Sequence, residues 1–180
     1  GPLRHEWMPR SRISRRLPEA LLAAEDQKFL VHHGFDLDSI RRAMRHNRSG
    51  KRLRGGSTIT QQLAKNLYLW PGRSWLRKGL ETWFSIWLEM LLPKQRILEL
   101  YANVVQFGPA TFGAEAAARE FFGKPAARLN REEAALLTAV LPNPLRFSVA
   151  RPSPGVRHRQ QWILSQAAII ERKEALQAIW

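Results

Sequence analysis

Two short stretches carry residue types that could do chemistry at a fixed spacing. In Glu25-Asp26-Gln27-Lys28-Phe29-Leu30-Val31-His32-His33-Gly34-Phe35-Asp36, a carboxylate stands where an apolar helix gives way to a His/Gly turn. In Gly55-Gly56-Ser57-Thr58-Ile59-Thr60-Gln61-Gln62-Leu63-Ala64-Lys65-Asn66, glycines open a helix. Ser57, Gln61 and Lys65 then recur at helical spacing on one face, with Thr58, Gln62 and Asn66 beside them. An acid able to act as a base, set near a polar and cationic face, suits transfer chemistry on a substrate with a negatively charged leaving group. Ala23 and Ala24 before Glu25, and Phe29 after it, would partly desolvate its carboxylate, a setting that favours a general base over a solvated surface acid.

Asp26 lies about 100° further round the helix, so it is expected to bond locally. His32 and His33 are adjacent in a turn and are expected to pack or cap; the sequence assigns them no metal. The Gly55-Gly56 entry leaves helix-start N–H groups uncovered, an anion site that Lys65 would reinforce. A third cluster, Arg73-Ser74-Trp75-Leu76-Arg77-Lys78-Gly79-Leu80-Glu81, reads in two ways. Arg77 and Glu81, four apart, form a surface ion pair, or they belong to a phosphate clamp with a second carboxylate beside it.

The elements that must hold these residues read as helices throughout. Pro18 suits a first helical position, and Leu21, Leu22, Ala24 and Phe29 give an apolar stripe. Asp36 caps a second helix through Met44, which runs into the basic stretch Arg45 to Arg54. Thr58 with Gln61 has capping-box spacing for a third, whose core side is Ile59, Leu63 and Leu67. Ser74 starts a long helix to about Leu92, stopped by Pro93. Helices follow over Lys94 to Asn103, Gly113 to Phe122, Asn130 to Leu141, and from Ser153 through Trp180 with one break. Phe107-Gly108-Pro109 reads as a loop, and no strand pattern is found. The class is all-α, with residues 1–16 a mobile or peripheral basic arm and 17–180 one domain.

Charge narrows the partners. Lys and Arg number 29 against 15 acids, a net +14, so the partner is anionic. The run Arg41, Arg42, Arg45, Arg48, Lys51, Arg52, Arg54 suits nucleic acid or anionic lipid equally, but it lacks aromatics for base stacking. No segment reaches the roughly 20 apolar residues of a membrane span. Trp83 to Leu92 reads as a core helix, with membrane-surface insertion the minority alternative. Gly1-Pro2 resembles a cleavage scar, so a natural N-terminal segment is expected to have been removed.

Four ordered motifs carry a family resemblance: Glu25-Asp26-x-x-Phe29-x-x-His32-His33-Gly34-x-Asp36; Gly56-Ser57-Thr58-Ile59-x-Gln61-Gln62-x-x-Lys65-Asn66; Arg77-Lys78-x-x-Glu81; and Lys94-x-x-Ile97-Leu98-Glu99-x-Tyr101-x-Asn103. They resemble the signature motifs of the peptidoglycan glycosyltransferases, glycosyltransferase family 51, over about residues 18 to 166, and the remainder is similar to its monofunctional branch. Two positions depart from the family: Ala102 stands where it usually has Leu, and Arg159 is followed by Gln160 where it usually has paired arginines.

The resemblance implies a lysozyme-like helical fold with a larger head lobe and a smaller hydrophobic lobe resting in the membrane. It implies a single-pass N-terminal anchor in the bacterial inner membrane, with the domain on the periplasmic side. The implied substrates are lipid II and a polyprenyl-pyrophosphate-linked glycan. The reaction implied is β-1,4 transfer with inversion and release of undecaprenyl pyrophosphate. Glu25 would be the general base and Glu81 the second catalytic carboxylate, orienting cations or a divalent ion (Mg²⁺ or Mn²⁺); no organic cofactor is implied. Lys65, Arg73, Arg77 and Lys78 would face the pyrophosphate. Ser57, Gln61, Gln62 and Asn66, with Asp26 and Phe29 nearby, would hold the donor, while Glu99 and Asn103 would be structural. Membrane lipids and other cell-wall synthesis proteins are the implied partners, and nucleic acid is not. A lysozyme-like peptidoglycan hydrolase is the alternative, disfavoured by cations that hydrolysis does not need.

Overall fold

The computed structural model describes residues 2–36, 41, 56–70, 72, 74–172 and 174–180. Helices dominate: α1 Arg16–Glu25, α2 Ile59–Tyr68, α3 Trp75–Leu91, α4 Lys94–Val104, α5 Ala114–Phe122, α6 Arg131–Ala139, α7 Pro154–Glu171 and α8 Glu174–Gln177. Their starts follow local chemistry. The Thr58 hydroxyl accepts from Gln61 N–H while Gln61 Oε1 accepts from Thr58 N–H, closing a complete capping box at α2. Asn130 and Glu133 repeat the arrangement at α6. Ser74 and Ser153 cap α3 and α7 by accepting from Arg77 and Val156 N–H. The expected second helix and the basic stretch after it lie outside the described residues, apart from Arg41.

Three short strands depart from the all-helical expectation. β1 (Arg4–His5), β2 (Gln106–Gly108) and β3 (Thr111–Phe112) form a sheet ordered β1-β3-β2, β1 parallel and β2 antiparallel to β3. Strands of two or three residues show no alternation long enough to read, so a loop was the natural reading of Phe107-Gly108-Pro109. The helical class stands.

The N-terminal stretch, expected to be mobile or peripheral, is largely exposed and is tied to α4: Met8 N–H donates to Asn103 Oδ1 at 2.8 Å, and Asn103 Nδ2 donates to Met8 O at 2.8 Å. Arg10 N–H donates to Glu99 Oε1 at 2.8 Å, and Ile13 is buried. Glu99 and Asn103 therefore have structural work.

Two helix groups meet at the point of interest. α1 packs on α6 and α7, while α2 packs on α3 and α4. One apolar core joins them through fully buried Phe29, Ile59, Leu63, Leu98, Tyr101, Leu137 and Ile163. Leu67, expected in it, is 37 % exposed.

α3 is amphipathic in the reverse sense. Its inward residues include Glu81, Ser85 and Leu88, whereas Trp83, Ile86, Trp87, Met90 and Leu91 are exposed, Met90 and Leu91 by 69 % and 71 %. The core reading of Trp83 to Leu92 is corrected: of that run only Ser85 and Leu88 are buried, with Phe84 and Leu92 half-buried against the core. Hydropathy alone could not decide this, because the apolar stripe has the same period whichever way it faces. The inward carboxylates are the deciding feature: Glu81 is paired with Lys78 and Arg77, and Glu89 with Lys94. Among the described residues no helix is long and apolar enough to cross a membrane.

Candidate active site

Glu25 is the last residue of α1, an unfavourable place for an acid because the helix C-terminus carries partial negative charge. Two donors offset that cost. Arg159 Nη2, from α7, donates to Glu25 Oε1 at 3.1 Å, and Gln62 Nε2, from α2, donates to Oε2 at 3.0 Å. The Glu25 side chain is 16 % exposed. It forms part of the wall of a cleft of about 240 Å³, with Ala24, Asp26, Gly56, Ser57, Thr58 and Trp162. The partial shielding expected of Glu25 is present in this low exposure.

The same junction fixes α2. Asp26 Oδ2 accepts from Ile59 N–H at 3.0 Å, and His32 Nε2 donates to the same carboxylate at 2.8 Å. Asp26 thus bonds locally through His32, as expected, and also reaches an element 33 residues away. The anion at the start of α2 is this protein carboxylate, so the free N–H groups expected for a substrate phosphate are in part already taken. Thr58 Oγ1 donates to Gly34 O at 2.6 Å. Gly34 has φ +83°, a backbone conformation that favours glycine, and a Cβ there would stand a tight 3.1 Å from Glu89 Cγ.

Several expected substrate contacts are placed otherwise. Phe29 is fully buried, with Lys94 Nζ 4.4 Å from its ring centroid; it supports the site from behind and cannot touch a ligand. Gln61 is 4 % exposed and committed to the cap. Gln62 spans Glu25 and Tyr101, whose hydroxyl donates to Gln62 Oε1 at 2.7 Å. Ser57 remains on the cleft wall. Lys65 and Asn66 are exposed on α2, and Lys65 has no ion-pair partner among the described residues. Arg73 lies outside the described residues.

Glu81, 4 % exposed, is held by cations on its own helix: Lys78 Nζ at 2.5 Å and Arg77 Nη1 at 3.7 Å. Of the two readings of that cluster, the ion pair is present, and it is buried at its acidic end. A protein-held divalent ion does not fit here, because the carboxylate that would bind it already faces two cations. Among the described residues no group of three or more His, Asp or Glu side chains is arranged for a metal.

No local pattern in the sequence marks Arg159 as a site residue. Its only signal was the lone arginine of the last family motif; the contact spans 134 residues. Trp162, one turn on, carries the Arg159 guanidinium 6.0 Å from its ring centroid and lines the cleft.

Comparison with known proteins shows the family. The profile of the family described as Transglycosylase matches residues 2–168. A protein of Aeromonas hydrophila called biosynthetic peptidoglycan transglycosylase is 56 % identical over 164 residues, covering 91 % of this chain and 70 % of its own. Its namesake in Pseudomonas aeruginosa is 53 % identical over 164 residues, 91 % of this chain and 71 % of that one. Another, in Xanthomonas campestris, is 51 % identical over 176 residues, 98 % and 72 % of the two chains.

Proposed function

Since this chain belongs to the transglycosylase family, and is thereby a peptidoglycan glycosyltransferase that makes glycan strands, we propose that Glu25 is the general base of that transfer. The acceptor is lipid II and the donor a polyprenyl-pyrophosphate-linked glycan. The 4-hydroxyl of the acceptor's GlcNAc attacks C1 of the donor's MurNAc. The O4–C1 bond forms as the C1–O bond to pyrophosphate breaks, the proton passes to Glu25, and undecaprenyl pyrophosphate leaves with the bonding electrons. Attack from the face opposite the leaving group gives the inverted β link.

The observation that carries the reading is the suspension of the Glu25 carboxylate between Arg159 and Gln62 on the cleft wall. Lys65, Arg73, Arg77 and Lys78 supply positive charge for the departing diphosphate, with Glu81 fixing Arg77 and Lys78 in advance. Ser57 and Asn66 contact the donor. Phe29, Gln61 and Asp26 serve as support.

A lipid-facing role for α3 follows from the same chemistry. Both substrates carry polyprenyl tails, and the exposed Trp75, Leu76, Trp83, Trp87, Met90 and Leu91 form an apolar surface that interfacial lipid would cover. We place the domain on the periplasmic side of a bacterial inner membrane.

The test offers the folded chain lipid II in one reaction and finished peptidoglycan in another. Lengthening glycan strands with release of undecaprenyl pyrophosphate is the expected result. Fragments released from finished peptidoglycan, with lipid II untouched, would instead point to a hydrolase.

A further inference from the structure

Gln62 is positioned by its far end. Its amide has one acceptor and one donor group, and the two point to different partners. A carboxylate only accepts, so the end facing Glu25 has to be the NH₂, 3.0 Å from Oε2. That leaves Oε1 facing the Tyr101 hydroxyl at 2.7 Å, which has to donate. Reversing the amide would set Oε1 against the carboxylate and its NH₂ against the phenol, losing the bond that matters.

Tyr101 suits this task. It is 0 % exposed, on α4, and is not among the residues that line the cleft. Its hydroxyl is also held in the donating form: burial first, and then the charges of Glu25 and Asp26, push it well above the ordinary tyrosine range. We propose that Tyr101 is a positioning residue that acts through Gln62, locking the amide so that its NH₂ group holds Glu25 oriented for proton abstraction. Gln62 is thereby a positioning residue too, where the sequence suggested a substrate contact.

The inference rests on Glu25 being the base, and the experiment separates the two. kcat and KM for lipid II polymerisation are measured for wild type, Tyr101→Phe, Gln62→Met, the double variant and Glu25→Gln, with thermal midpoints alongside. Tyr101→Phe is expected to lower kcat about tenfold, with KM changed less than about twofold, because a misaimed base costs rate without costing binding. Gln62→Met is expected to lower kcat by a similar factor. The double variant is expected to be no slower than Gln62→Met alone, since two members of one chain do not add.

Multiplicative losses in the double variant, an unchanged kcat in Tyr101→Phe, or a rise in KM without a fall in kcat would each overturn the proposal. Losses that follow the thermal midpoints would also overturn it. Should Tyr101→Phe fail to fold, Gln62→Met decides: a kcat loss at constant KM supports the chain, and wild-type kcat ends it. Glu25→Gln reports on the underlying reading. An active Glu25→Gln removes the base itself, whereas an inactive one beside an additive cycle removes only the role of Tyr101.

Discussion

Arg159 Nη2 donates to Glu25 Oε1 at 3.1 Å, joining the end of the first long helix to the middle of the last one. The pair places a guanidinium against an acid at a helix C-terminus, where an acid alone destabilises by about 0.3–1 kcal/mol. An arrangement costly to the helix and compensated from 134 residues away is what a functional carboxylate looks like in a fold.

Arg159→Ala is expected to lower the polymerisation rate by about 10²-fold, the usual cost of misplacing a reacting group by about 1 Å. The fold should survive, because the Arg159 side chain is 32 % exposed and the pair is only partly shielded. Steady-state kinetics and a thermal melt check this; a variant that keeps its rate would remove Arg159 from the site.

Asp26→Ala should be costly to stability. It strips the acceptor from Ile59 N–H and from His32 Nε2, leaving donors stranded at a carboxylate 7 % exposed. Loss of the cap plus orphaned donors amounts to about 3 kcal/mol. Urea unfolding measures it, and a loss below about 1 kcal/mol would show that the Asp26 bridge does not hold α2 in place.

Alkaline pH should reveal Tyr101. In the unfolded chain it ionises near pH 10, while in the folded protein burial keeps it protonated beyond that. Above pH ~10 the unfolded state therefore binds fewer protons, and stability falls as pH rises, by about 1.4 kcal/mol per unit from this group. Tyr101→Phe should flatten the fall by that amount. In the native protein Tyr101 should contribute no phenolate absorbance in the ordinary tyrosine range; absorbance there that Tyr101→Phe removes would contradict this.

Trp83→Ser combined with Trp87→Ser should weaken binding to anionic lipid vesicles by at least about tenfold, given about 1.5–3 kcal/mol for burying one large apolar side chain. These residues are 56 % and 42 % exposed, so unfolding stability should hardly change. Cosedimentation with vesicles reads the first effect and urea unfolding the second. Unchanged vesicle binding, or a large stability loss, would return the face to the core.

Much of this was legible in the sequence. Thr58 with Gln61, Asn130 with Glu133, Ser74 and Ser153 mark helix starts through bonds that close within three residues, Pro93 marks one through its fixed backbone angle, and those starts are where the helices begin. Glu25 was singled out by its neighbours. What stayed hidden depends on distance along the chain. No local pattern tells that Asp26 caps α2, that Arg159 meets Glu25, or that Met8 lies on Asn103. The outward turn of Trp83 and Trp87 was hidden for another reason: burial of Glu81 and Glu89 depends on Lys78 and Lys94, and only packing shows the polar face to be inside.

The most direct test is Glu25→Gln, which keeps the side chain's shape and removes its ability to take a proton. Gel analysis of lipid II polymerisation should show a rate at least about 10²-fold lower, with the thermal midpoint and lipid II binding close to wild type. Glycan strands made at near wild-type rate by that variant would contradict the assignment of Glu25 as the base.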